Sequence, residues 1–74
     1  MEFYEQIGKN VRHQLIEHGM TQAKLARKLG VTQSYMSDIL NGRRKIKLEM
    51  LIKIADEFEV SLDSLCPSEK QAVG

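Results

Sequence analysis

The sequence contains no tryptophan, one cysteine and one proline among its 74 residues. The single cysteine, Cys66, cannot form an internal disulfide or, by itself, a zinc site, which favours a reducing compartment and a role as a small apolar side chain. No apolar run approaches the roughly 20 residues that a membrane span requires. The N-terminal residues Met-Glu-Phe-Tyr-Glu also lack the basic-then-apolar layout of a signal peptide. We therefore expect a cytoplasmic protein with no membrane association.

Signs of enzymatic chemistry are missing as well. His13 and His18 lie five positions apart, with no cysteine or carboxylate at metal-ligand spacing, and are expected to be surface residues. There is no glycine-rich phosphate loop, no His-Glu-x-x-His motif and no recognisable set of nucleophile and base. A chain of this length also builds only one small core. These absences predict a protein that is not an enzyme and that binds no cofactor, metal or small molecule.

The charge is unevenly distributed, although the formal net charge is only +1. Residues 1–47 carry nine lysines and arginines against four acids, whereas residues 48–74 carry two against six. Such polarity suits a domain that presents a basic face to phosphates and leaves its acidic end to solvent or a partner. The alternative is ordinary solvated charge with a chance asymmetry.

Apolar periodicity predicts an all-α chain of five helices with no strand. Phe3, Ile7, Val11 and Leu15 recur at helical spacing and form one stripe of the first helix, which should end before Gly19. The predicted helices run from Phe3 to His18, from Thr21 as N-cap to the turn at Gly30, from Gln33 to Leu40, from Leu48 to Phe58, and from Leu62 to Leu65. We expect residues 1–66 to form one domain and residues 67–74 a flexible tail.

Three of the predicted helices begin in the same way, with a hydroxyl residue at the N-cap between two apolar residues that can form a hydrophobic staple. These sets are Met20, Thr21 and Leu25, then Val31, Thr32 and Met36, then Val60, Ser61 and Leu65. A single core is expected where the first-helix stripe meets Leu25, Leu29, Met36, Ile39, Leu51, Ile54, Ala55, Phe58 and Leu62.

Residues 21–41 have the pattern of two short helices joined by a tight turn, with a polar second helix that is free to enter a groove. Leu25, Ala26 and Leu29 line one face of the first, and Met36 and Ile39 line one face of the second. Ala26 is small where the helices should cross closely. Gly30 lies where the chain reverses, a place that often requires a positive φ.

This segment resembles the helix-turn-helix of the lambda-repressor-like family, which includes Cro, xenobiotic-response-element-type regulators and restriction-modification controllers. The resemblance covers roughly residues 5–65 and includes Glu-His-Gly-Met-Thr-Gln, Leu-Asn-Gly-Arg-Arg, Leu-Glu-Met-Leu-Ile-Lys-Ile-Ala and Val-Ser-Leu-Asp-Ser-Leu. It implies a compact five-helix DNA-binding domain with the helix-turn-helix at helices 2 and 3.

The sequence departs from this family at two places. Leu15 and Leu40 stand where many relatives pair an arginine with a glutamate, and the double change predicts contact between the two leucines. Ile46 and Lys47 stand where relatives usually have proline and serine. The fourth helix therefore lacks its customary cap.

Helix 3 carries the residues expected to read bases. Gln33 suits a bidentate pair with adenine, Ser34 can donate or accept, and Asp38 can accept from the amino group of cytosine. The resemblance also places Gln33, Ser34 and Asp38 at base-facing positions, with Ser37 beside the strand. Tyr35 is amphipathic and suits a thymine methyl group or a phosphate. For Asp38 the alternative is a solvated surface acid that repels phosphate.

Phosphate contacts require donors and positive charge. By resemblance Gln22, at the N-terminus of helix 2, corresponds to a phosphate-binding glutamine, and that helix end offers free backbone N–H groups. After helix 3 a polar, basic exit follows in Asn41, Arg43, Arg44 and Lys45. Arg27 and Lys28 are weaker candidates because exposed helix charges often serve only solubility.

Together these residues predict a sequence-specific regulator of double-stranded DNA, with repression as the expected role, that acts as a homodimer on a palindromic operator. The apolar surface available for dimerisation would comprise Val60, Leu62, Leu65 and Met50, unless these side chains only complete the core. The alternative function is a protein-interaction module, such as an antitoxin or repressor antagonist, that engages a protein partner and binds DNA only secondarily.

Overall fold

The computed structural model describes residues 3–67, which form five α-helices and no strand. They are α1 (Phe3–Glu17), α2 (Gln22–Leu29), α3 (Gln33–Leu40), α4 (Leu48–Phe58) and α5 (Leu62–Leu65). The predicted all-α fold is confirmed, with α1 ending one residue earlier than expected. The predicted flexible tail lies outside the described residues except for Pro67. Within the described part of the chain, no helix is both long and apolar enough to cross a membrane.

The two helices of the helix-turn-helix are capped as the sequence predicts. The Thr21 hydroxyl accepts a hydrogen bond of 3.1 Å from the Lys24 amide, and the Thr32 hydroxyl accepts one of 3.0 Å from the Tyr35 amide. These bonds satisfy amide groups that the first turn of a helix leaves without a partner. The N-terminus of α3 is therefore fixed by its own sequence.

The starts of α4 and α5 differ. Ser61 precedes α5 without capping it through its side chain, and its hydroxyl oxygen lies 3.3 Å from that of Ser64. Ser61 therefore occupies the N-cap position that the sequence predicts, but without the side-chain bond that Thr21 and Thr32 make. Lys47 precedes α4 and makes no side-chain cap bond, as the sequence predicts.

Helices α1 to α4 end with the same backbone turn. One residue takes a left-handed conformation, and the amide of the next donates to the carbonyl five positions back, which satisfies an otherwise unpaired helix carbonyl. The left-handed residues are Gly19, Gly30, Gly42 and Glu59. Of these only Glu59 has a side chain, and it adopts φ 57°.

The residue after the left-handed position distinguishes α3 from the other three helices. Met20, Val31 and Val60 occupy this place after α1, α2 and α4, and each is partly buried against the core. After α3 the same place is occupied by Arg43, which is exposed. The turn that elsewhere returns an apolar side chain to the core therefore directs a charge to the surface.

The core joins all five helices and the segment before α4. Its buried apolar side chains are Ile7, Val11, Leu15, Leu25, Ala26, Met36, Ile39, Leu40, Ile46, Leu51, Ile54, Ala55, Phe58 and Leu65. Three expected members differ. Phe3, the first residue of α1, is 50% exposed, and its ring forms a T-shaped pair with that of Tyr4, with 5.2 Å between ring centroids. Leu29 and Leu62 lie partly buried at the margin.

Close contacts fasten α1 to the helices that follow. Gly8 is buried where α1 meets the backbone of Leu40, the last residue of α3, because a side chain there would overlap the Leu40 carbonyl. Asn10 donates a hydrogen bond of 2.8 Å to the carbonyl oxygen of Leu65, which attaches α5 to α1. The His18 ring also packs against Phe58, with 5.0 Å between ring centroids. Helix α1 is thus the scaffold on which α3 is mounted.

Candidate nucleic-acid interface

Helix α3 has one buried face and one polar face. Met36, Ile39 and Leu40 point into the core, whereas Gln33 and Ser34 are exposed at the beginning of the helix. Helical spacing places the remaining polar residues, Tyr35, Ser37 and Asp38, around the same outward surface, and all three are half-buried. All five residues predicted to contact bases thus lie outside the buried face of α3, although Tyr35 also packs partly against the core.

The turn at Gly30 sets this helix against α2. Gly30 has φ 74°, a conformation that suits glycine because it has no Cβ. Across the turn, the Gln22 side chain donates a long hydrogen bond of 3.4 Å to the backbone carbonyl of Gln33. The two glutamines predicted to contact DNA are therefore neighbours, and the N-terminal ends of α2 and α3 lie side by side.

The end of α3 is tied to α1 through Asn41. Its amide nitrogen donates to the Ser37 carbonyl at 2.9 Å and lies 3.3 Å from the Ser37 hydroxyl. Its amide oxygen accepts a hydrogen bond of 2.7 Å from Arg12 in α1. Asn41 was predicted to contact phosphate, but its side chain is already engaged on both sides, so that role would require an exchange of partners. Through this bond Arg12 adds a cation next to the end of α3.

Sequence reasoning missed Arg12. It is one of several charges on an exposed helical face, and its partner lies 29 positions away in the chain. Only the packing of α1 against α3 brings the two together. A basic residue on the first helix was therefore visible in the sequence, but its neighbour was not.

Two arginines after α3 make contacts back to the helix. The guanidinium of Arg43 is 3.8 Å from the Asp38 carboxylate, and the backbone amide of Arg43 donates to the Asp38 carbonyl at 2.9 Å. The guanidinium carbon of Arg44 lies 5.0 Å from the centre of the Tyr35 ring, which is a cation–π arrangement. With the exposed Lys45, the predicted basic exit therefore borders the polar face of α3.

The residues predicted for a dimer surface do not all reach the surface. Leu65 is fully buried, with no exposed area, so its assignment to the interface was wrong: the short α5 turns this side chain into the core. Met50, Val60 and Leu62 are partly buried. Sequence reasoning missed Leu48 and Ile52, one turn apart on α4, which are 66% and 43% exposed. Their four-residue spacing in the sequence predicts that the two side chains share one face of a helix. It does not show whether that face is exposed or buried.

No group of three or more potential ligands among residues 3–67 could hold a metal ion. Both histidines are exposed: His13 lies 3.7 Å from Glu17, and a ring nitrogen of His18 is 2.9 Å from the Gln14 carbonyl. Cys66 is half-buried next to α5. Burial, with a smaller contribution from Asp63, raises the pKa of its thiol and so disfavours the reactive thiolate.

Residues 11–65 match the sequence model of a protein family described as helix-turn-helix. The chain is similar to the propionyl-CoA carboxylase regulator of Cereibacter sphaeroides, with 27% identity over 66 residues, and to antitoxin PezA of Streptococcus pneumoniae, with 30% over 64. These matches cover 89% and 86% of the chain. The chain spans only 14% and 40% of the respective relatives' lengths.

Two solved structures share the fold. The clp gene regulator ClgR from C. glutamicum is 21% identical, with a TM-score of 0.78 over 88% of this chain and 86% of its own. The DNA-binding domain of BldD from S. venezulae is 20% identical, also with a TM-score of 0.78, over 90% of this chain and 100% of its own. At this level of identity the likeness establishes the common helical architecture.

Proposed function

We propose that this chain, which belongs to the Cro/C1-type helix-turn-helix family of DNA-binding regulators, binds a specific duplex sequence and represses transcription. In this proposal α3 enters the major groove. The proposal includes a homodimer on a palindromic operator, a cytoplasmic location and no catalytic activity.

The arrangement around α3 carries the proposal. Exposed hydrogen-bonding side chains stand at its beginning, and two arginines flank its end. A major groove admits one helix, and the phosphates on its two sides require donors at the edges of that helix. The polar face of α3 with its basic exit has that form.

The two exposed residues at the start of α3 are the leading base readers. Gln33 has both a donor and an acceptor and suits the N6 and N7 atoms of adenine. Ser34 can donate or accept at a neighbouring base. Ser37, Asp38 and Tyr35 complete the set of candidates for base contact, although each already makes a contact within the protein.

Phosphate contacts are proposed on both sides of α3. On one side, Gln22 stands at the N-terminus of α2, where the helix dipole favours an anion. On the other side, Arg43, Arg44 and Lys45 supply positive charge, and Arg12 adds a further guanidinium through its contact with Asn41. Asn41 would contribute through its backbone or after exchange of its side-chain partners.

A single α3 reads only a few base pairs, and a homodimer would double that number with half-sites about 34 Å apart. Met50, Val60 and Leu62 remain candidate interface residues, and the exposed Leu48 and Ile52 extend the apolar surface on α4. Sedimentation of the protein without DNA tests this component. A monomer at high micromolar concentration would exclude a dimer that forms before DNA binding.

Selection from a random duplex library, followed by titration of the enriched sequence, tests DNA reading directly. We expect binding that weakens steeply with salt and retains a sequence-dependent component. Gln33→Ala should reduce discrimination at one base position by about 1–3 kcal/mol, whereas Arg43→Ala should weaken binding to all sequences and lower the salt dependence. Equal effects of the two substitutions in both assays would contradict this division of roles.

A second candidate function is binding to a protein, as in an antitoxin, with DNA binding secondary. The similarity to antitoxin PezA and the exposed Leu48 and Ile52 support it. The same titrations separate the two functions. Tight association with a protein, without a shift of any duplex, would favour the interaction module over the regulator.

A further inference from the structure

Asp38 and Arg43 form a pair whose position bears on how strongly the domain binds DNA of any sequence. The two are joined twice, through the backbone bond that closes the turn after α3 and through their side chains at 3.8 Å. The other three turns of this kind place an apolar residue against the core at this point. Here the turn instead places a guanidinium next to a carboxylate.

A carboxylate and a phosphate present similar oxygen acceptors to a guanidinium. In the free protein, the Asp38 carboxylate lies 3.8 Å from a guanidinium that a DNA phosphate would also approach. The Arg43 side chain is 70% exposed, so a phosphate can approach it, whereas the Asp38 side chain is 34% exposed and is held on a regular helix. The more exposed partner of this pair is the arginine.

We infer that Asp38 is an intramolecular competitor for Arg43 that restrains binding to phosphates regardless of base sequence. This inference rests on the proposed DNA-binding function and assigns Asp38 a specificity role: it weakens non-specific binding. Arg43 exchanges the carboxylate for a phosphate when the domain docks, and duplexes that offer no favourable base contacts gain little from that exchange. Asp38 acts through Arg43 and is a positioning residue in this role.

Tyr35 and Arg44 provide the comparison. Their cation–π contact leaves Arg44 with its full charge, because the ring is neutral. The Asp38 carboxylate, by contrast, places a negative charge 3.8 Å from one guanidinium of the basic exit. Of the two exit arginines, only Arg43 is paired with an acid on α3.

The test uses a mixed-sequence duplex of about two helical turns, with affinity measured over a salt series by fluorescence anisotropy. Asp38→Asn keeps the side-chain shape and removes the charge. We expect it to tighten binding about two- to fivefold, the range that corresponds to an exposed ion pair. The salt dependence of the affinity should become steeper, because Arg43 then engages a phosphate more fully. Asp38→Glu keeps the negative charge and should retain the wild-type affinity and salt dependence.

Arg43→Ala supplies the second arm. In the Arg43→Ala protein, Asp38→Asn should change the affinity much less, because the guanidinium with which Asp38 pairs is absent. Asp56→Asn, an equal change of charge on an exposed residue of α4, should leave the affinity within about 1.5-fold, since salt screens distant charges. Circular dichroism melting curves confirm that all variants are folded.

An equal gain from Asp38→Asn with and without Arg43 would overturn the inference, since Asp38 would then act by charge alone. A loss of affinity on Asp38→Asn would also overturn it, because Asp38 would then contribute to DNA binding and not compete with it. If the wild type binds duplex DNA and Asp38→Asn leaves the affinity unchanged, the inference alone is overturned. If the wild type binds no duplex, the proposed function is overturned.

Discussion

Gly8 in α1 and Leu40 in α3 meet backbone to backbone, with no room for a side chain between them. A methyl group on Gly8 would overlap the Leu40 carbonyl oxygen and lie 2.7 Å from its carbonyl carbon. Because Leu40 ends the helix that carries the proposed reading surface, this contact sets how far that helix stands from its scaffold.

Gly8→Ala is therefore expected to destabilise the domain by about 1–3 kcal/mol, the usual range for overpacking, despite the higher helix propensity of alanine. Lys9→Ala, at the exposed neighbouring position, should change stability little. Urea denaturation of both variants provides the measurement. A Gly8→Ala protein as stable as the wild type would show that the two helices can separate without loss.

Leu15 and Leu40 are both buried, and we predict that they contact each other in place of the ion pair of many relatives. Leu40→Glu should destabilise the domain by more than about 1 kcal/mol, because it buries a charge without a partner. Addition of Leu15→Arg should recover part of that loss if the two positions meet. The check is the denaturation midpoint of both variants, and an unchanged midpoint in the single variant would refute the contact.

Glu59 ends α4 in the left-handed conformation that glycine occupies after α1, α2 and α3. Glu59→Gly should stabilise the domain by up to about 1 kcal/mol, since the strain of a left-handed side-chain residue exceeds the entropy lost by glycine. Glu59→Ala retains a Cβ and should give no such gain. Thermal melting compares the three proteins, and a lower melting temperature for the glycine variant would contradict the expectation.

Cys66 should react slowly with iodoacetamide at neutral pH, because burial raises the pKa of its thiol and Asp63 adds to that shift. The midpoint of the rise in alkylation rate with pH should lie above that of an ordinary thiol, and Asp63→Asn should speed the reaction modestly. The chain unfolded in urea is the control. A folded protein that reacts as fast as the unfolded one would exclude this effect.

The same shift makes a prediction for stability. A thiol pKa that is raised on folding adds stability that is complete below the unfolded-state pKa and is lost as the pH rises through the folded-state value. Unfolding free energy should therefore decline at alkaline pH in the wild type. Cys66→Ala should remove the part of this decline that comes from the thiol.

The helices could be predicted because their signals are local. Thr21 and Thr32 cap the helices that follow them, and Gly30 and Gly42 stop the helices before them, all within a few residues. The failures involve which side of a short segment faces inward. Leu65 in the four-residue α5 was expected at the surface, but a single helical turn shows no periodicity from which its orientation could be deduced.

The site was predictable in its residue types but not in its contacts. The polar face of α3 and the basic exit are visible in the sequence, whereas the bond between Arg12 and Asn41 depends on the packing of α1 against α3. The Asp38–Arg43 pair lies between these cases. The turn geometry sets its five-residue separation, and this can be deduced from the sequence once Gly42 is assigned as the left-handed residue.

The turn after α3 is closed by backbone atoms, and the side chains that follow it lie outside the core. Residues 43–45 can therefore vary in number of charges while the protein folds as before. Electrostatic attraction to a polyanion and the packing that holds the helices together therefore depend on separate sets of residues.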